Sequence, residues 1–276
     1  MTQYCAKIAI IGQPNVGKST LLNALTAKSI AITSPKPQTT EVPILGILTE
    51  SPYQFIFIDT PGIHERIYQS KNRSMNRHAK RSILDADLIL WLITPYLNRQ
   101  DYHISEWLKQ QESCPPLCVL INKSDLPHQE PALSELTHGI DVSMFLNISA
   151  KTGLHVEQLK AWLLLHCPEG AFLFNENEST TQSEDTQITE IIREQLLLKL
   201  NQEIPYQCQV GIESDRVETK GRILRAYIEV KDLNHKKMII GNQGRTIKAI
   251  SQAARQQMQK RLGIEIHLML FVKCQH

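Results

Sequence analysis

The 276-residue sequence predicts an α/β fold in two parts, a doubly wound, mainly parallel sheet over 1–167 and a smaller α+β module over 188–276. Three observations predict it. Short apolar runs alternate with helix-like stretches in the first part, a glycine-rich turn closes the first of those runs, and a polar, acidic tract over 168–187 separates this pattern from a second, basic one. At 42% hydrophobic and 21% charged residues the chain buries a sizeable core, which excludes disordered and collagen-like classes.

Ile8 to Ile11, Phe55 to Ile58, Leu88 to Ile93, Cys118 to Ile121 and Phe145 to Ile148 read as strands buried on both faces. Lys18 to Ala27, Asn72 to Leu84, His103 to Gln110 and Leu154 to Leu165 read as helices between them, and Ile44 to Glu50 reads as an antiparallel hairpin partner of Phe55 to Ile58 across Ser51-Pro52. Pro168 through Gln187 has no apolar periodicity and reads as a linker. Beyond it the pattern predicts a helix (Ile188 to Leu200), two strands (Cys208 to Ile212 and Ile223 to Val230), a short helix ending at Ile240, a glycine turn, a longer helix from Arg245 and a last strand (Ile264 to Leu270).

The longest apolar runs, such as Leu88 to Ile93, fall far short of the roughly 18 residues that cross a bilayer, so no transmembrane segment is expected. Met1 to Lys7 carries neither a signal-like nor a transit-like pattern, and the expected location is the cytoplasm, with a peripheral fraction at the inner membrane left open. The six cysteines are scattered without metal-site spacing and read as reduced, buried thiols. The formal net charge of +2 hides a division: 15 basic and 14 acidic residues over 1–167, none and 5 over 168–187, and 15 and 9 over 188–276.

Four motifs stand at strand ends. Gly12-Gln13-Pro14-Asn15-Val16-Gly17-Lys18-Ser19-Thr20 is a phosphate-loop pattern, in which backbone amides ring phosphates, Lys18 reaches the β/γ oxygens and Ser19 ligates Mg²⁺. Asp59-Thr60-Pro61-Gly62 follows the third strand, with Asp59 holding Mg²⁺ directly or through water and the Gly62 amide free to approach a γ-phosphate. Asn122-Lys123-Ser124-Asp125 follows the next parallel strand. An ionised Asp125 accepts from the N1 and N2 donors of guanine and repels the N1 acceptor of adenine, which selects GTP over ATP. Asn122 is expected to brace neighbouring loops and the Lys123 stem to cover the base. Ser149-Ala150-Lys151 closes the pocket with a backbone N–H for the guanine O6.

In the second part, Lys231 to Arg261 holds eight basic residues and one acid, Asp232. Lys236 and Lys237 precede Gly241-Asn242-Gln243-Gly244, and Arg245 starts a helix whose period puts Ile247, Ile250, Ala254 and Met258 on one face and Lys248, Gln252, Arg255 and Gln259 on another. A glycine loop at a helix N-terminus admits a nucleic-acid backbone, as in KH domains.

The four motifs, in this order and spacing, resemble those of the translation-factor-related GTPases. The phosphate loop together with Gln38-Thr39-Thr40 resembles the Era family in particular, and so do Lys237 to Gly244 and the order of elements around them, which resemble its C-terminal type II KH domain. The resemblance implies a Mg²⁺-dependent GTPase in which Thr40 completes the metal shell and senses the γ-phosphate. It also implies binding of single-stranded RNA near the 3′ end of small-subunit ribosomal RNA during 30S subunit maturation. Ile63 stands where many small GTPases carry a water-orienting Gln, and Asn15 matches a residue that helps hold K⁺ in related GTPases, so slow hydrolysis accelerated by K⁺ is expected. His64, near the same switch, is not assigned a catalytic role. Glu41-Val42-Pro43 departs from the basic residues usual in the family, and the family usually continues past the final strand. The alternatives are a related GTPase of tRNA modification or large-subunit assembly, and a non-hydrolysing adaptor docking protein or membrane.

Overall fold

The computed structural model describes residues 2–28, 30–31, 44–59, 83, 85–127, 131–200, 204–218 and 221–274. The chain divides into two compact units between Thr181 and Gln182.

In the first unit, β1 (Tyr4–Gly12), β2 (Ile44–Glu50), β3 (Tyr53–Asp59), β4 (Leu88–Ile93), β5 (Leu117–Ile121) and β6 (Met144–Asn147) form one sheet in the order β2-β3-β1-β4-β5-β6. Only the β2–β3 pair is antiparallel, as the Ser51-Pro52 turn predicts. The strand interiors alternate between two cores. Ile8, Ile10, Phe57, Leu90 and Leu120 pack on one face with α1 (Lys18–Thr26) and α4 (Val156–His166). Ala9, Ile11, Ile89, Trp91 and Val119 pack on the other with α2 (Arg99–Lys109) and α3 (Leu133–Leu136). Burial on both faces explains why β4 and β5 read as continuous apolar runs. Fully burying each such side chain contributes about 1.5–3 kcal/mol. Because β3 and β4 lie on opposite sides of β1, the carboxyl end of β1 is the switch point at which open α/β sheets bind ligands. The helix expected over Asn72 to Leu84 lies outside the described residues except at Ile83.

The expected linker behaves differently from a free tether. Pro168 O accepts from Cys5 N at 3.1 Å, Gly170 N donates to Gln3 O at 3.0 Å, and Ile47 N donates to Ser179 O at 2.8 Å, so 168–181 lies along the strand ends and the outer edge of the first sheet. The fully buried Gln54 side chain accepts from Leu173 N at 2.8 Å and Phe174 N at 3.0 Å and donates to Phe174 O at 2.8 Å. All of these bonds engage the backbone of the stretch and need no apolar periodicity, which is why its sequence reads as unstructured. Its last residues belong to a helix: α5 runs Glu184–Lys199, beginning earlier than Ile188 because Ser183 caps it and Glu184 and Asp185 sit in its first turn, where acids favour the helix dipole.

In the second unit, β7 (Gln209–Glu218), β8 (Gly221–Val230) and β9 (Ile266–Cys274) form a mixed sheet, antiparallel between β7 and β8 and parallel between β8 and β9. α6 (Leu233–Ile240) and α7 (Arg245–Leu262) join β8 to β9. Ile188, Ile192 and Leu196 of α5, Ile250, Ala254 and Met258 of α7, and Leu224, Ala226 and Ile228 of β8 make the core. The buried Arg222 ties β8 to both neighbours, donating to Asp215 Oδ1 at 2.7 Å and to Glu184 Oε1 at 2.6 Å.

Candidate nucleotide site and nucleic-acid interface

The phosphate loop leaves β1 at the switch point, and α1 begins directly after it. Gly17 caps α1 without a side-chain hydrogen bond, leaving the first amides of the helix for an anion. Its φ of 107° lies in the region that favours glycine, and a Cβ there would run into Asn122 Nδ2. Lys18 is buried and donates to Gly12 O at 3.0 Å and Gln13 O at 2.9 Å. Burial pushes its ammonium down and the Asp59 carboxylate pulls it up.

Asp59, at the end of β3, is fully buried beside this lysine. Ser19 Oγ donates to Asp59 Oδ2 at 2.7 Å, while Asp59 Oδ1 has no hydrogen-bond partner among the described residues. Burial pushes the Asp59 carboxyl up; Lys18 and the Ser19 hydroxyl hold it down. An orphaned carboxylate oxygen and a hydroxyl, both hard donors, side by side at a phosphate loop fit Mg²⁺. Thr40, Thr60, Pro61 and Gly62 lie outside the described residues, as do Ile63, His64 and Glu41-Val42-Pro43.

The base-binding motifs meet where β5 and β6 end. Asn122 is buried; its Nδ2 donates to Val16 O at 2.7 Å and its Oδ1 accepts from Ala150 N at 2.9 Å, so one side chain bolts the phosphate loop to the Ser149-Ala150-Lys151 turn. Ser149 Oγ donates to Asp125 Oδ1 at 2.7 Å and, with lesser help from Lys151 and Lys123, holds that exposed carboxyl below the usual carboxylate range. Asp125 is therefore an ionised, acceptor-only group, as guanine recognition requires.

Sequence reasoning missed the support behind Gln13. This loop residue is buried, its Nε2 donates to Asp101 Oδ2 at 3.3 Å and its Oε1 accepts from Asn98 Nδ2. Asn98 and Asp101 form the N-terminal capping box of α2, a pattern visible in the sequence, but its contact across 88 positions is not.

In the second unit, α6 ends at Gly241, whose φ of 72° and ψ of 178° turn the chain. A Cβ there would collide with the Thr246 side chain. Asn242 and Gln243 are exposed, and Gly244 caps α7 without a side chain, leaving amides facing the turn. Lys237, Arg245, Lys248 and Arg255 are exposed and Lys236 half-buried. Asp232 does not answer this charge: its carboxylate caps α6, accepting from Asn234 N at 2.8 Å and His235 N at 2.9 Å. Those backbone bonds hold it below the usual range. Beside the turn an open groove of about 330 Å³ runs between α7 and β9, lined by Ile247, Lys248, Ser251, Arg255, His267 and Leu270. It offers apolar walls with basic rims, suited to unstacked bases and their phosphates. The β9 residues were missed because a single alternating strand does not show which helix it faces.

A phosphate loop with buried Lys18 and Asp59, joined through Asn122 to an acceptor-only Asp125, defines a guanine-nucleotide-binding protein of the phosphate-loop class, here followed by a KH-like module. Comparison with known proteins agrees. Residues 7–123 match the family model described as 50S ribosome-binding GTPase, and residues 203–276 match the KH domain. GTPase Era of Yersinia pestis (strain Pestoides F) is 40% identical over 280 residues, covering 98% of this chain and 90% of the relative. GTPase Era of Yersinia pseudotuberculosis serotype O:1b (strain IP 31758) shows the same identity and coverage. Among solved structures, an alanine variant of Aquifex aeolicus Era bound to GDP·AlF₄⁻ superposes with a TM-score of 0.86 at 32% identity, covering 99% of this chain and 94% of that one. Era in complex with MgGDPNP and nucleotides 1506–1542 of 16S ribosomal RNA gives 0.88 at the same identity and coverage. The chain belongs to the Era family of GTPases, and its reaction is hydrolysis of GTP.

Proposed function

We propose that this chain is a cytoplasmic, GTP-driven switch that binds small-subunit ribosomal RNA near its 3′ end and assists maturation of the 30S subunit. The observation that carries the reading is one chain holding both a guanine-selective phosphate-loop site and a glycine turn with exposed cations beside a base-sized groove. The Era complex with a 16S ribosomal RNA fragment supports the choice of RNA.

In the proposed reaction the loop amides and the open end of α1 hold the phosphates, and Lys18 neutralises charge that grows toward the transition state. Ser19 and Asp59 would hold Mg²⁺, with Thr40 completing its shell; the metal supplies charge neutralisation between the phosphates. Asn15, with a φ of 59° that keeps it in a left-handed turn, is the proposed K⁺ ligand. Asn122 keeps base and phosphate subsites in register. GTP turnover is expected to be faster in K⁺ than in Na⁺ buffer, and Asn15→Ala to abolish the difference; equal rates in the native chain remove K⁺ from the mechanism.

Crosslinking to the GTP-analogue-bound protein, followed by sequencing, tests the RNA assignment. Reads at the 3′ end of small-subunit RNA, lost in Gly241→Asp/Gly244→Asp, are expected. Reads from transfer RNA or large-subunit RNA overturn the assignment. The same cations would also meet an anionic membrane, so flotation with anionic vesicles at physiological salt, unaccompanied by RNA binding, would reassign the module.

A further inference from the structure

Gln13 is embedded in the phosphate loop, yet its side chain turns into the protein. There it is buried and held at both ends: Nε2 on Asp101 Oδ2 at 3.3 Å, Oε1 on Asn98 Nδ2. The two holders are fixed to each other, since Asn98 N donates to Asp101 Oδ2 at 3.0 Å and Asn98 Oδ1 accepts from Gln100 N at 2.8 Å. The box therefore ends α2 and grips the loop with the same atoms. The backbone carbonyl of Gln13 is one of the two that orient Lys18 Nζ, at 2.9 Å. A chain of contacts thus runs from the start of α2, through a loop side chain, to the Lys18 ammonium proposed above to neutralise the phosphates.

We propose that the Gln13 side chain, clamped by Asn98 and Asp101, is a positioning residue for GTP hydrolysis that sets the carbonyl aiming Lys18. The assignment rests on the GTPase reading of this site. It adds a function for a fully buried carboxylate that a surface helix cap does not explain. The capping box uses one oxygen of each residue, Asn98 Oδ1 and Asp101 Oδ2, and such a box does not require its carboxylate to be buried. Here Asp101 is 0% exposed, and its Oδ1 has no hydrogen-bond partner among the described residues. Burial pushes its carboxyl up to about 6, so the fold places a costly group where it can hold the loop. The chemistry of the pair is directional: an ionised carboxylate only accepts, so it selects the amide nitrogen of Gln13 and leaves the amide oxygen for Asn98.

The consequence separates binding from catalysis. Many loop amides share the ground-state phosphate contacts, whereas the aim of one ammonium matters most as charge moves in the transition state. Misplacing a catalytic group by about 1 Å costs on the order of 100-fold, so a partial release of Lys18 should cost about tenfold. The test is single-turnover GTP hydrolysis and nucleotide affinity on the full chain carrying Gln13→Leu, Asp101→Leu or both. Each single variant should lose about tenfold in kcat while nucleotide Kd moves less than about threefold, and the double should fall no further, because coupled losses are not additive. Asp101→Asn, which keeps an acceptor in place, should recover most of what Asp101→Leu loses.

Should Asp101→Leu fail to fold, Gln13→Leu still decides, because the α2 cap bonds between Asn98, Gln100 and Asp101 do not involve it. A folded Gln13→Leu protein with native kcat overturns the proposal. So does a double variant down by about 100-fold, the product of independent losses. Asp125→Ala, run alongside, should instead weaken nucleotide binding by about 10- to 100-fold, the scale of a lost charge-assisted hydrogen bond, so that failure of the nucleotide-site reading is distinguished from failure of the clamp.

Discussion

Asp125 is an exposed side chain whose chemistry is set by a neighbour it does not touch in sequence. Ser149 Oγ donates to its Oδ1 at 2.7 Å, and that bond is the main reason its carboxyl sits below the usual range. A folded-state value below the unfolded one means that ionisation of this group favours the fold at neutral pH, and that this support is lost as pH falls through the lowered value. Guanine recognition should follow the same window. GTP affinity limited by Asp125 is expected to stay flat from pH 7 to about 5, above the ordinary Asp value near 3.9, and to weaken only below that. Asp125→Asn should lower GTP affinity roughly 10- to 100-fold, the usual scale for a lost charge-assisted hydrogen bond, and shift preference toward xanthine nucleotides, whose O2 accepts where guanine donates. Equilibrium titration with both nucleotides checks it; unchanged preference removes Asp125 from base recognition. The place of Asp125 was legible in Asn122-Lys123-Ser124-Asp125 because the motif directly follows the buried strand β5. The role of the Ser149 hydroxyl was not: only the pairing of β5 with β6 brings it within reach. Gln13 shows the same limit, since its partners stand 85 and 88 positions away.

At the scale of elements, the central strands were legible because burial on two faces leaves an unmistakable apolar run, and the amphipathic α7 because Ile250, Ala254 and Met258 recur at the helical period. The stretch 168–181 was not, because it is held by hydrogen bonds to backbone atoms. Gln54 is the centre of that attachment. It is fully buried in β3 and serves three backbone groups of Leu173 and Phe174 as well as Thr49 Oγ1 at 3.0 Å. Leu173 is 57% exposed, so the segment has a route into water when its anchor is removed. Gln54→Leu should therefore detach the segment and leave the sheet folded. Local opening would become easier by about 1–3 kcal/mol, the cost of leaving buried amides without partners. Amide exchange should show it: the Leu173 and Phe174 amides are expected to exchange about 10- to 100-fold faster while those of β1 and β4 keep their protection. Loss of protection throughout the first unit would mean that Gln54 supports the core itself.

For the whole molecule, the formal charge of +2 describes a cancellation. A near-neutral nucleotide unit, five acids over 168–187 and a basic module share one chain, and the last gathers cations beside a groove. The acids do not neutralise that face from within its own stretch, since Asp232 is occupied as a helix cap. The proposed RNA surface therefore uses Lys236, Lys237, Arg245, Lys248 and Arg255 as its phosphate contacts. Single-stranded nucleic acid loses about 0.7 in log–log salt slope per contact, so full engagement of the five predicts a slope near about −3.5. Lys248→Ala should reduce it by about 0.7 at every RNA sequence, because a phosphate contact carries no sequence information. The nucleotide enters as a second variable. A switch changes RNA affinity only by as much as its two states differ in RNA contacts. If GTP exposes a surface that is otherwise covered, titrations with GDP and with a GTP analogue should give parallel salt plots, offset in affinity. If GTP adds cations to the surface, the slopes themselves should differ. Identical plots in the two nucleotide states would leave both the GTPase and the RNA module intact and sever the coupling between them.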